Sequence, residues 1–174
     1  MPSTLYLLRH AKSSWDDPGL ADEERPLAPR GERAARRMAQ HIREAGIRPA
    51  LVLCSPARRT RQTLEAVAGS FGKHVEVLVE DGLYGAGAWE LTARLRRVPT
   101  ELPSVMVVGH NPGLQELALG LAGGGEEEAL ASLRAKFPTA ALATLLLPQG
   151  GWESLARGGA EIVSLVLPRS LPRP

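Results

Sequence analysis

One cysteine, Cys54, is present in the 174 residues. No intrachain disulfide can form, which fits a reducing compartment, and a cytoplasmic location is expected. No apolar run approaches the roughly 20 residues of a membrane span. The start, MPSTLYLLRH, lacks both the basic n-region and the long apolar h-region of a secretory signal. A membrane partner is therefore not expected. No Lys/Arg cluster is interleaved with aromatics, so a nucleic-acid partner is not expected either. The net charge of +2 is too small for whole-molecule charge to select a partner. No internal repeat occurs at solenoid periods, and GGGEEE at 123–128 is the one low-complexity patch.

What remains is an ordinary globular composition, 44% hydrophobic and 23% charged. The length suits one domain spanning 1–174, with a tail expected to fray from Pro168, where PRSLPRP begins. Six apolar runs read as strands: 4–8, 51–54, 75–79, 104–109, 141–147 and 161–167. Most are continuous rather than alternating, as in strands covered on both faces. Between them, Ala35, Met38, Ala39 and Ile42 recur at helical spacing ahead of Gly46. Leu64, Val67, Ala68 and Phe71 repeat that spacing, as do Leu114, Leu117, Ala118 and Leu121. Alternating strands and helices predict an α/β fold of three layers, with a mostly parallel central sheet flanked by helices.

Ligands of such folds sit beyond the carboxyl ends of the strands. Three stretches lie there: LLRHAKS, CSPARRTRQT and VVGHNPG. In the first, Arg9 offers a planar fork of donors suited to phosphate oxygens. His10 offers a ring nitrogen that is partly neutral at pH 7 and able to attack phosphorus. In the second, Ser55 suits an N-cap and Pro56 a first helical position, so the helix start would aim free N–H groups at the same rim. Arg58, Arg59 or Arg61 can complete an anion clamp with Arg9. In the third, Asn111-Pro112 starts a helix just after His110, a second imidazole that would serve as a cation for phosphoryl oxygens if protonated. Each feature alone is commonplace, since a strand-end histidine is usually a structural hydrogen bonder and an Arg-rich helix start a solvated face. Their coincidence on three strand ends of one sheet points to a phosphate site.

Competing motifs fail on spacing. A cysteine phosphatase needs arginine after five intervening residues, and Cys54 is followed at that distance by Thr60. AKSS lacks the two glycines of a P-loop, and GLYGAGAWE lacks the dinucleotide fingerprint and reads as a turn into a helix. His41 and His74 have no ligand partner at metal spacing. The polar segment 15–32 reads as a long loop over the rim, carrying Trp15 near the pocket mouth. Trp89 and Trp152 carry no assigned role.

Together these stretches resemble the histidine phosphatase superfamily, which includes the cofactor-dependent phosphoglycerate mutases. Its hallmark Arg-His-Gly reads Arg9-His10-Ala11 here. That departure, and LRHAKS as a whole, is similar to the SixA-type protein phosphohistidine phosphatase branch, as are DEERPLAPRGERAA and KFPTAALATL. The resemblance runs from about Leu5 to Leu167. It implies a phosphoglycerate mutase-like fold and a phosphoric hydrolase with His10 as the phosphoryl-accepting nucleophile. Arg9, Arg59 and His110 would form the phosphate pocket, with no metal or organic cofactor. The implied substrate is phosphohistidine on a protein, such as a phosphotransfer domain. The alternatives are a phosphomonoesterase of a small phosphorylated molecule and a non-catalytic phosphate or phosphoprotein-binding module.

A second departure bears on substrate. Mutase-like members carry a glutamate general acid in a Leu-x-Glu context, whereas here Leu83 is followed by Tyr84 and Gly85. Glu80, Asp81 and Glu90 are near but outside that slot. An alkoxide leaving group, with a conjugate acid near 15–16 (about that of bulk water), needs a proton donor. The imidazole leaving from phosphohistidine, with a conjugate acid near about 6.5, needs little help. The missing acid favours the phosphoramidate. Asp16, Asp17 and Glu23, on the loop after the nucleophile, are open candidates for a substitute.

Overall fold

The computed structural model describes residues 2–148 and 150–173. Seven strands form one sheet: β1 (Ser3–Arg9), β2 (Leu51–Cys54), β3 (Glu76–Val79), β4 (Ser104–Gly109), β5 (Ala122–Gly125), β6 (Leu142–Leu147) and β7 (Ala160–Val166). Five helices accompany them: α1 (Pro29–Glu44), α2 (Arg58–Ala68), α3 (Ala88–Arg96), α4 (Gly113–Leu121) and α5 (Glu127–Ala135). The spatial order is β3-β2-β4-β1-β6-β7-β5. Only β6 runs against the rest, so the sheet is mostly parallel, in agreement with the α/β expectation.

The period-2 geometry of strands explains the continuous apolar runs. Leu5, Leu7, Leu51, Leu53, Val105 and Val107 point to one face, where they meet Leu91 and Leu95 of α3, Leu114 and Leu117 of α4, and Leu133 of α5. Leu8, Val52, Cys54, Met106 and Val108 point to the other, against Met38 and Ile42 of α1 and Leu64 and Val67 of α2. Each fully buried large apolar side chain contributes roughly 1.5–3 kcal/mol. This two-sided core is what fixes the three layers.

The expected set of six strands is corrected to seven. The additional edge strand, β5 (AGGG), has no signal in the sequence because its glycines carry no strand propensity. It forms because close backbone approach, not side-chain packing, holds it: a Cβ on Gly123 would sit 2.1 Å from the Gly158 carbonyl oxygen. Pro168–Ser170 make a 3-10 turn with Pro168 buried, and Leu171 packs on the core shared by α1 and α2. Among the described residues, no helix is long and apolar enough to cross a membrane.

Candidate active site

β4 lies between β2 and β1, so the segments leaving the carboxyl ends of these three strands are neighbours. They leave at one level, because Arg9 pairs with Gly109 and Cys54 with Val108. The pairing continues one residue further. The His10 N–H donates to the Gly109 carbonyl at 3.0 Å, and the Ser55 N–H to the Val108 carbonyl at 3.1 Å. Residues distant in sequence thus meet on one rim.

The rings of His10 and His110 lie 5.3 Å apart, centroid to centroid. His10 is 8% exposed. Its Nδ1 lies 2.7 Å from the Ala11 carbonyl oxygen. A carbonyl only accepts, so Nδ1 carries the proton and Nε2 keeps its lone pair. Burial, reinforced by His110, Arg59 and Arg9, pushes the His10 value down to about 3. His110 Nε2 meets the Ser55 hydroxyl at 2.7 Å, and burial followed by the Arg59 charge lowers His110 to about 4. Both rings are therefore neutral at pH 7. An anion lodged between them would raise both values by attraction.

Arg9 and Arg59 complete the cluster. Burial, and then the Arg59 charge, lower the Arg9 value, a sign of two cations sharing one partly dry place. Arg9 Nη1 donates to the Phe137 carbonyl at 2.9 Å, while its Nε is buried without a partner among the described residues. Of the three arginines at the start of α2, only Arg59 is buried, and Arg58 and Arg61 face solvent. The expected cap geometry is corrected: α2 begins at Arg58 with Ala57 as N-cap. Ser55 lies too early to cap its first turn; its hydroxyl accepts from the Ala57 N–H at 3.4 Å and meets His110 Nε2.

The residue that sequence reasoning missed is Asp22. It sits in a 3-10 turn, Asp22–Glu24, within the long loop. Arg59 Nη1 donates to its carbonyl at 2.7 Å and Nη2 to Oδ2 at 2.9 Å. Arg25 Nη1 donates to Oδ1 at 3.0 Å, and the Tyr84 hydroxyl donates to Oδ2. Tyr84 also stands edge-on to His110, with ring centroids 5.5 Å apart. The Tyr84 hydroxyl, then Arg59 and Arg25, hold the Asp22 carboxyl down at about 2. That bond correspondingly raises the Tyr84 value. The only signal in the sequence was the Asp22–Arg25 spacing of three within DEERPL.

The other carboxylates are engaged elsewhere or exposed. Glu80 accepts from Arg94 Nε at 2.7 Å and Nη2 at 3.0 Å. Glu90 caps the α3 start through the Gly87 N–H at 2.9 Å. Asp17 Oδ1 accepts from the Gly19 N–H at 2.9 Å, and Asp16, Glu23 and Asp81 are exposed. Trp15 is exposed, with the Arg25 guanidinium stacked 3.3 Å from its ring centroid. Trp89 is exposed as well, whereas Trp152 is a buried core residue. Cys54 is buried, and burial pushes its thiol up to about 12, which removes it as a thiolate nucleophile. No group of three or more His, Cys, Asp or Glu among the described residues is placed to hold a metal.

The two histidines make stability depend on pH in a definite direction. Unfolded, each takes up a proton near about 6.5; folded, each stays neutral down to about 3 or 4. The unfolded state binds more protons between these limits, so stability is fully present above pH 6.5 and falls as the pH drops through that window. The slope has a ceiling of about 1.4 kcal/mol per pH unit per group, lowered for His110 by its solvent contact. Urea midpoints should decline from pH 7 to pH 5, above the range where Asp22 titrates. His110→Gln should flatten that decline; an unchanged slope would refute the assignment.

A family model, the histidine phosphatase superfamily (branch 1), matches residues 5–102. The chain is 37% identical to an uncharacterized protein of Mycobacterium tuberculosis, over 93% of this chain and all of that one. It is 33% identical to the structure of a proposed phosphohistidine phosphatase SixA from Nakamurella multipartitia, covering 95% of this chain and 96% of that one with a TM-score of 0.81. A proposed phosphohistidine phosphatase SixA from Agrobacterium tumefaciens is 32% identical, covering 95% and 98% with a TM-score of 0.80.

Proposed function

The chain belongs to the histidine phosphatase superfamily, and on that premise we propose that it is a hydrolase of phosphohistidine carried on a protein. The structural likeness to SixA-named phosphatases at about a third identity supports this reading. His10 is the nucleophile. Its Nε2 lone pair attacks phosphorus while the substrate P–N bond breaks; the electrons of that bond return to a substrate ring protonated at its other nitrogen, which therefore departs as neutral imidazole. Water then attacks the phosphorus of phospho-His10, the P–Nε2 bond breaks, and phosphate leaves. Arg9, Arg59 and His110 stabilise the equatorial oxygens in both steps. His110 is neutral in the free protein, with a single ring N–H, and becomes a cation, a donor at both nitrogens, only as the bound dianion raises its basicity.

One observation carries the choice of substrate. The carboxylate beside the site, Asp22, is held ionised near 2 by Tyr84, Arg59 and Arg25. It has no proton to give an alkoxide, and the Tyr84 proton is already donated to Asp22. A leaving imidazole needs neither. The exposed Trp15 on the loop that carries Asp22 offers a contact for a macromolecular substrate, here a phosphotransfer-type domain. A cytoplasmic setting suits the single buried thiol.

The test is a panel of a phosphohistidine protein, phosphoserine, sugar phosphates and a chromogenic aryl phosphate, assayed with wild type and with Asp22→Asn. The phosphohistidine protein should turn over at least about 10²-fold faster than the alkyl esters, the usual span of general acid catalysis. Asp22→Asn should retain phosphohistidine turnover within about tenfold. Equal rates on alkyl esters and phosphohistidine, or selective loss of ester turnover in Asp22→Asn, would instead make Asp22 a proton donor and the protein a phosphomonoesterase.

A further inference from the structure

A second concave surface lies between α1, α5 and the C-terminal turn. It is a cavity of about 430 Å³ lined by six cations, Lys12, Arg30, Arg33, Arg37, Lys136 and Arg169, and by no Asp or Glu. None of the six makes a salt bridge among the described residues. The chain as a whole has a net charge of only +2, so these cations are concentrated here while the rest of the molecule carries an acidic excess. Arg30, Arg33 and Arg37 stand at i, i+3 and i+7 on α1 and share one face. Like charges at that spacing repel unless a counter-charge sits among them.

Two further observations point to a ligand rather than a solvated basic face. The cations share the lining with the apolar Ala34, Leu167 and Pro168. Arg37 Nε is buried and has no acceptor among the described residues, although buried donors are almost always satisfied.

The cavity is distinct from the histidine cluster yet shares a wall with it. Lys136, Pro138 and Thr139 line the cavity. Between them, the Phe137 carbonyl accepts from Arg9 Nη1. The Ala140 N–H then donates to the carbonyls of Arg9 at 3.1 Å and His10 at 3.0 Å.

The geometry points to this cavity as a second anion site, which binds a small polyphosphate. Four guanidinium forks and two ammonium groups around one hollow suit two or more adjacent phosphate groups, and the apolar lining suits an organic body attached to them. The inference does not depend on the phosphatase reading, since it rests on residues outside the histidine cluster.

The experiment must silence the catalytic pocket, which also attracts phosphate. Isothermal titration of the Arg9→Ala/Arg59→Ala protein with ADP and, separately, with inorganic tripolyphosphate should show one equivalent bound. Affinity should fall steeply with added salt. Adding Arg33→Glu/Arg169→Glu should raise the Kd at least tenfold; both residues are exposed, and an unchanged melting temperature checks that the fold is kept. Arg33→Ala/Arg169→Ala, which removes charge without reversing it, should raise the Kd by a smaller factor. Tighter binding of ADP would identify an organic polyphosphate, and tighter binding of tripolyphosphate an inorganic one. No binding of either probe at millimolar concentration, binding indifferent to the charge reversal, or binding only of a polyglutamate peptide would overturn the proposal.

Discussion

His10→Ala is expected to fold normally and to lose turnover by at least about 10⁴-fold, the scale of loss when a covalent nucleophile is deleted. The reasoning starts from a hydrogen bond. The Nδ1 proton is committed to the Ala11 carbonyl, so the ring presents an unprotonated Nε2 and needs no separate base. Alanine removes that atom and leaves Arg9, Arg59 and His110 in place to bind anions, so affinity for inorganic phosphate should survive while chemistry stops. Rapid quench with ³²P-labelled substrate should trap an acid-labile, base-stable phosphoenzyme in the wild type and none in the variant. Urea unfolding at pH 7 tests the fold. Near-normal turnover, or a phosphoenzyme still formed in His10→Ala, would exclude His10 as nucleophile.

Gly31→Ala is expected to cost roughly 3 kcal/mol of stability and about 10²-fold in kcat, although residue 31 touches no substrate. A Cβ at Gly31 would lie 2.1 Å from the Lys12 carbonyl oxygen and 2.9 Å from Lys12 C and N. All three are backbone atoms, so no side-chain rotation relieves the clash. The Lys12 carbonyl is also held by the Ala28 N–H at 2.8 Å, which pins the start of α1 to the exit of β1. Either α1 moves off the sheet or the Lys12 peptide moves, and His10 is two residues away. A matched control is Gly120→Ala on α4, where a Cβ meets nothing within 4 Å. It should be neutral or stabilising by up to about 1 kcal/mol. Equal melting temperatures for Gly31→Ala and wild type would show that the contact yields.

Six of the seven strands, and helices α1, α2 and α4, were readable from the sequence; burial on both faces leaves uninterrupted apolar runs, as in 51–54 and 104–109, where the expected and observed strands coincide. Arg9, His10, Ser55 and His110 were legible as rim residues for the same reason: each ends or follows a strand, and parallel strands put such positions at one edge. β5 was not legible, because its stability comes from glycine backbones meeting the Gly158 loop. Nor was the role of Ser55, since capping rules are local and its partner, His110, is 55 residues away.

Local pattern alone, then, determined that this chain builds a mostly parallel sheet and that Arg9, His10, Ser55 and His110 emerge at one edge of it. Tertiary structure decided what surrounds them. Asp22 reaches Arg59 across 37 residues and Tyr84 across 62, and the cationic hollow needs α1, α5 and the C-terminal turn brought together. Strand periodicity is a property of neighbours along the chain, whereas the charge state of a carboxyl is set by whichever donors the completed fold delivers to it.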